Sequence, residues 1–147
     1  MNTQIIRAPA FQRPSGKMIG PAQSSLATGN LIKMLINTIP AHYTDGIEDA
    51  LNNRIIPGIA GFYNITANII YEDPVADTRY TAVTYVTGVQ VDANIQHASH
   101  ENYLTCHCNL ASHWLSAVDV VELYAQHFSG GASVNVTSSN LCVQRVR

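Results

Sequence analysis

Cys106, His107 and Cys108 form the densest group of metal-ligating side chains in this chain. Thiolates and imidazoles together suit zinc. Their neighbours alternate as in a strand, however, so Cys106 and Cys108 point to one side and His107 to the other. The three cannot close one tetrahedral site, and the only further cysteine is Cys142. They read as three buried, reduced thiols, and no metal or other cofactor is expected within one chain. Cys106 has no recognisable spacing to His97 or His113, and no Gly-x-Ser-x-Gly elbow is present. Asp119 with Glu122, or Asp45 with Glu48, offers a carboxylate pair. Each reads as turn-capping or solvated surface, because no other catalytic group converges on it. Gly130-Gly131 reads as a hairpin turn and not a phosphate loop. Asn64-Ile65-Thr66 and Asn135-Val136-Thr137 match the glycan acceptor pattern, but without a signal peptide they read as β-propensity coincidences. His113 and Trp114 lie beside a turn and offer an exposed recognition spot. A large aromatic is usually mostly buried, so Trp114 is expected to plug the end of the core. No catalytic residue is assigned, and an enzyme is not expected.

The bulk numbers bound the class. A chain of 147 residues with 46% hydrophobic content can bury one core. Charged residues make up only 12%, against the roughly one quarter of an ordinary soluble protein. Thr, Ser, Asn and Gln must supply the surface, which suits β-structure or a surface covered by partners. The net charge of −2 and the lack of a basic stripe argue against nucleic acid as a partner. No apolar run approaches the ~20 residues that span a bilayer, so no membrane role is expected. Met1-Asn2-Thr3-Gln4 lacks the charged start and apolar run of a signal peptide, which predicts synthesis in a cytosol.

The elements that must position these residues are strands. Residues 61–71 place Tyr63, Ile65, Ala67, Ile69 and Tyr71 on one face and Asn64, Thr66 and Asn68 on the other. That period of two predicts a strand with one face in a core. Residues 79–86, 89–95, 103–110, 118–128, 132–137 and 141–146 read as further strands. Thr87-Gly88 and Ser129-Gly130-Gly131 are turn signals, and residues 96–102 read as a loop. Residues 31–38 fit a helix turn or a strand, and residues 45–52 a brief helical turn or a loop. Residues 1–29 contain Pro9, Pro14 and Pro21 and predict an extended N-terminal arm, with one short strand near Ala10-Phe11-Gln12. Residues 30–147 form the expected main domain. Many short strands split by turns predict an all-β, two-sheet antiparallel sandwich of jelly-roll type.

The order of these pieces resembles the jelly-roll domain shared by complement-collagen-like and tumour-necrosis-factor-like proteins. Ala10-Phe11 is similar to that family's opening strand. Pro57-Gly58 to Gly61-Phe62-Tyr63 matches its Pro-x-x-Gly-x-Tyr lead-in. Tyr85-Val86-Thr87-Gly88 looks like its hydrophobic strand and turn, and residues 115–123 and 141–146 match its later strands. Val118 stands where the family has Gly, and the terminal Phe-x-Gly element, a collagen stalk and an anchor are lacking. The combination looks more like a bacteriophage structural protein than a secreted cytokine.

The resemblance implies a homotrimer with one sheet of each subunit facing the threefold axis. Projected onto this chain, Tyr63, Asn64, Thr66, Asn68, Cys106 and Cys108 are the expected trimer interface. A threefold axis could also gather three Cys108 or three His side chains as metal ligands. The N-terminal arm, with Arg7, Phe11, Arg13 and Lys17, is expected to lie on a neighbouring subunit or a capsid. These readings predict a non-enzymatic virion protein that decorates and cements a bacteriophage capsid. Its partners would be itself and the major capsid protein. The alternative is a receptor-binding module at a fibre tip, with residues 96–102 contacting a host glycan or protein.

Overall fold

The computed structural model describes residues 14–41, 47–131 and 133–146. The chain forms β1 (Ser15–Gly20), β2 (Gln23–Leu26), β3 (Ile32–Lys33), β4 (Glu48–Asp49), β5 (Arg54–Ile55) and β6 (Gly61–Glu72). It continues with β7 (Arg79–Val86), β8 (Val89–His97), β9 (Tyr103–Leu115), β10 (Val121–His127) and β11 (Val134–Arg145). One sheet runs β1-β11-β6-β9, with β2 also on β11, and the other β4-β5-β10-β7-β8, with β3 also on β10. Every strand pairing is antiparallel. The expected all-β, two-sheet antiparallel sandwich is therefore present.

Alternation builds the core. Tyr63, Ile65, Ala67, Ile69 and Tyr71 of β6 are each at most 3% exposed. They meet Val121, Leu123 and Ala125 of β10 and Tyr80 and Ala82 of β7 in one cluster. The buried phenols keep their hydrogen bonds, as burial demands. Tyr63 Oη donates to the Ile59 carbonyl at 2.6 Å and Tyr71 Oη to the Thr81 carbonyl at 2.7 Å.

Residues 27–31 cross from the first sheet to the second, and buried His127 clasps that crossing. Its Nε2 lies 2.8 Å from the Leu26 carbonyl, which can only accept, so Nε2 carries the hydrogen and Nδ1 accepts from the Ser129 hydroxyl at 2.9 Å. At the β7–β8 turn, Thr87 and Gly88 both have positive φ, as a two-residue type I′ hairpin requires.

Sequence and structure differ in several elements. The strands expected over 132–137 and 141–146 are one strand, β11, with a register irregularity between Val136 and Ser138. Ser138, Ser139 and Asn140 stay paired with Ile70, Ile69 and Asn68, because ladder hydrogen bonds do not require apolar side chains. Residues 31–38 give only the short β3, with Met34 and Ile36 buried in irregular backbone. Within 45–52, Glu48–Asp49 forms a bridge with Arg54–Ile55 and not a helical turn, while 45 and 46 lie outside the described residues. The arm differs as well. From Ser15 onward the expected arm belongs to the sandwich, because β1 and β2 both pair with β11. Residues 1–13, including the strand expected near Ala10-Phe11-Gln12, lie outside the described residues.

Gly20 ends β1 where the backbone must come close to residue 35. A Cβ there would lie 2.2 Å from the Leu35 carbonyl oxygen and 2.3 Å from Ser139 Oγ. Backbone cannot yield as a flexible side-chain tip can. Gly20→Ala is expected to lower unfolding free energy by about 2 kcal/mol, measured by urea denaturation against Ala22→Ser as a control in the exposed linker.

Candidate functional site

The register of β6 and its neighbours sets out rows of side chains across the first sheet. One row runs Ile19, Asn140, Asn68, His107, and the next Lys17, Cys142, Thr66, Asn109. In β6 the residues alternating with these are the buried ones, so both rows lie on the outer face of the sandwich. The centre of this face is a depression of about 320 Å³ lined by Thr66, Asn68, His107, Asn109 and Asn140, with backbone neighbours. Asn68 Oδ1 is buried there and has no hydrogen-bond partner. Such an acceptor costs free energy until a donor reaches it.

Backbone chemistry fixes the outer edge of this face. The His107 N–H donates to Asn94 Oδ1 at 3.3 Å and the Asn109 N–H to Asp92 Oδ2 at 2.8 Å. Both acceptors come from β8 in the other sheet. Hydrogen bonds directed away from β6 make Asn68 and His107 a non-hydrogen-bonded antiparallel pair, the kind whose side chains stand closest. Asn64 Oδ1 accepts the Ser112 N–H at 3.0 Å and so holds the irregularity where β9 slips register against β6.

The expected interface residues therefore separate. Asn64, Thr66 and Asn68 lie on the outer face. Tyr63, Cys106 and Cys108 do not: they are 0–2% exposed and point into the sandwich core. Period-two patterning alone places them inside, and the resemblance had grouped them by strand without regard to face. Three Cys108 side chains cannot meet at an axis outside this face. Lys17, expected on the arm, is half-buried in β1 opposite Cys142. Arg7, Phe11 and Arg13 lie outside the described residues.

The structure also corrects Trp114. It is 56% exposed and stacks edge-on against Phe62, itself 48% exposed, with ring centroids 5.1 Å apart. An extra residue between Leu110 and His113 shifts the alternation of β9 by one, so Trp114 faces outward and Leu115 seals the core in its place. The register pair Phe62↔Trp114 puts this aromatic pair on the same outer face as Asn68. Sequence reasoning missed it, because plain alternation from Cys106 and Cys108 points Trp114 inward and only the register irregularity before His113 turns it out.

Among the described residues, Asp119 and Glu122 do not converge. Glu122 pairs with Lys33 and accepts from Tyr124 Oη. Asp119 caps its own turn: Oδ2 accepts the Ser116 N–H at 2.7 Å and Oδ1 the Thr87 hydroxyl at 2.9 Å. These bonds, the Ser116 backbone donor first, hold the Asp119 carboxyl below its ordinary value. A depressed folded value means stabilisation that is present above the unfolded carboxylate range and is lost as pH falls through the folded value. Asp119→Asn should cost about 1 kcal/mol at pH 7, a figure reduced for exposure and screening. The difference from wild type should shrink as denaturation is followed down to about pH 3.

Burial disfavours the thiolate at Cys106 and Cys108. Burial pushes Cys106 up to about 12 and Cys108 up to about 11, and burial also raises half-buried Cys142. A disulfide-exchange reagent at pH 8 should leave Cys106 and Cys108 unmodified in the folded protein and titrate all three thiols in denaturant.

The fold is similar to that of C1q/TNF-like jelly-roll domains. Solved structures similar to this chain include the globular domain of zebrafish complement 1qA (TM-score 0.65, 12% identity, 91% of this chain and 98% of that one). Eiger TNF from S. frugiperda (TM-score 0.66, 14% identity, 92% and 94%) and murine APRIL (TM-score 0.60, 9% identity, 90% and 99%) are also similar. At these identities the likeness shows the fold. No protein-family model and no curated protein sequence matches the chain.

Proposed function

We propose that this protein is a non-enzymatic structural module that works as a homotrimer, packs the outer face of its β1-β11-β6-β9 sheet around a threefold axis, and decorates the capsid of a bacteriophage. The observation that carries the trimer is that face itself. It combines an unpartnered, buried Asn68 Oδ1 with an exposed aromatic pair, Phe62 and Trp114, on one side of one sheet. Exposed large aromatics mark surfaces that another molecule covers. Closed symmetry lets a single patch cover itself without leaving an open edge. The fold agrees with the homotrimer that the family resemblance implies.

The capsid role rests on composition and on the lack of converging chemistry. A chain with 12% charged residues presents amides and hydroxyls, which can be buried against a neighbouring shell with less desolvation cost than ions. A cement of this kind stabilises by mass action on the assembled particle, and its place would be the virion surface after synthesis in the host cytoplasm.

Light scattering at micromolar concentration should report three chains per particle. Thr66→Arg, which brings three cations together at the axis, should give a folded monomer. A wild-type monomer under those conditions removes the trimer. On preformed capsids the protein should bind at stoichiometric copy number and raise their disruption temperature. Few copies per particle together with direct binding to cells would favour a receptor-binding module instead.

A further inference from the structure

We propose that the chain's own N-terminal segment, residues 1–13, docks across the end of the first sheet and covers the exposed aromatic pair, with Phe11 on Phe62 and Ile5-Ile6 on Trp114. The contact is within one chain and does not depend on the trimer proposed above. In a trimer, the docked segment would complete the end of the face that neighbouring copies meet.

The hydrogen bonds at this end show where the segment enters. β1 pairs Ser15 with Gln144, and one step further the Arg145 N–H donates to the Pro14 carbonyl at 3.0 Å. The Val146 N–H in turn donates to the Phe62 carbonyl at 2.8 Å, and Phe62 pairs with Trp114. Val146, Phe62 and Trp114 therefore lie in one line across the sheet, and the chain that precedes Pro14 is delivered to the head of that line. Strands lie about 4.8 Å apart, so Phe62 is about 10 Å and Trp114 about 15 Å from the line of β1. Extended chain advances about 3.3 Å per residue. Phe11, three residues before Pro14, can reach Phe62, and Ile6 and Ile5, eight and nine residues before it, can reach Trp114 with slack.

The composition of the segment suits the surface. Residues 1–13 carry three large apolar side chains, Ile5, Ile6 and Phe11, and no acid. The end they approach exposes both aromatic rings. Ile59 and Val118 stand exposed in the adjoining loops, which meet where the Gly58 N–H donates to the Ala117 carbonyl at 3.0 Å. Seating the segment removes both sets of apolar groups from water together. Aromatic faces also attract a guanidinium, which Arg7 and Arg13 supply.

Trp114 is the only tryptophan in the chain, so its fluorescence reports this spot alone. In the full chain its emission should be that of a covered indole. Ile5→Ser, Ile6→Ser and Phe11→Ser together should shift the emission to longer wavelength with unchanged far-ultraviolet circular dichroism. Acrylamide quenching should rise about threefold in that variant, as the ring passes from a covered to an open surface. A benzophenone side chain at position 11 should cross-link to the strand carrying Phe62 within the same chain. Equal quenching in the wild type and the triple variant overturns the proposal. So does a cross-link made only to another chain or to another part of the sandwich. Shielding that is lost when the wild type is diluted to a monomer shows a second copy over the pair, which overturns same-chain docking and leaves the trimer standing. Shielding that survives dilution and is lost in the triple variant supports the docked segment whatever the oligomer.

Discussion

The alternation along β6 is the constraint on which the rest of the molecule depends. This strand lies between β11 and β9 and is paired on both sides over most of its length. Tyr63 to Tyr71, taken every second residue, are buried. A slip of one residue would drive Asn64, Thr66 and Asn68 into the core and turn two tyrosines and two isoleucines outward. The core thus fixes the outer face. His107, Asn109, Asn140 and Trp114 face outward because they are in register with the outward phase of β6.

A sandwich has open sides, and this one closes the side next to β9 with side chains. Asp92 and Asn94 reach from β8 to the backbone of β9, where a further strand would otherwise pair. That closure joins the two sheets and holds β9 rigid beneath the depression. Charge is distributed unevenly about it. The ion pairs Lys33–Glu122 and Arg54–Asp49 lie on strands of the second sheet. The centre of the first sheet's outer face is built from amides, a hydroxyl and an imidazole. Groups of this kind can be buried against another copy at much lower desolvation cost than ions.

Much of the fold was legible in the sequence because burial on one side writes itself as period two. The β7 span was readable to its ends, since β-branched and aromatic residues fill it and Thr87-Gly88 stops it. The failures have separate physical causes. Ser138 to Asn140 looked like a break, but a strand in mid-sheet is held by its backbone and tolerates polar side chains there. The segment after Pro14 looked like an arm because Gly16, Gly20 and Pro21 suggest irregular chain. Gly20 is instead required by a close backbone approach within the sheet. Trp114 was misplaced because its size and the plain alternation of β9 both point it inward, and the extra residue before His113 that turns it out carries no turn signal. Cys106 and Cys108 were correctly read as buried thiols, yet were also assigned to an interface by analogy, and one side chain cannot occupy both faces.

The candidate site was less legible than the fold for a deeper reason. Motifs that can be read in one chain, such as a zinc-binding cysteine pair or a nucleophile elbow, collect several functional groups on a single chain. The outer face of the first sheet collects its groups from separate strands, which leaves no spacing to recognise. What exposes that face is the strand register and the phase of burial. Neither depends on sequence separation. Asn68 and His107 are far apart in the chain and adjacent only through the β6–β9 register. That register is a consequence of core packing, so the same alternation that buries Tyr71 also brings Asn68 and His107 together on the outer face.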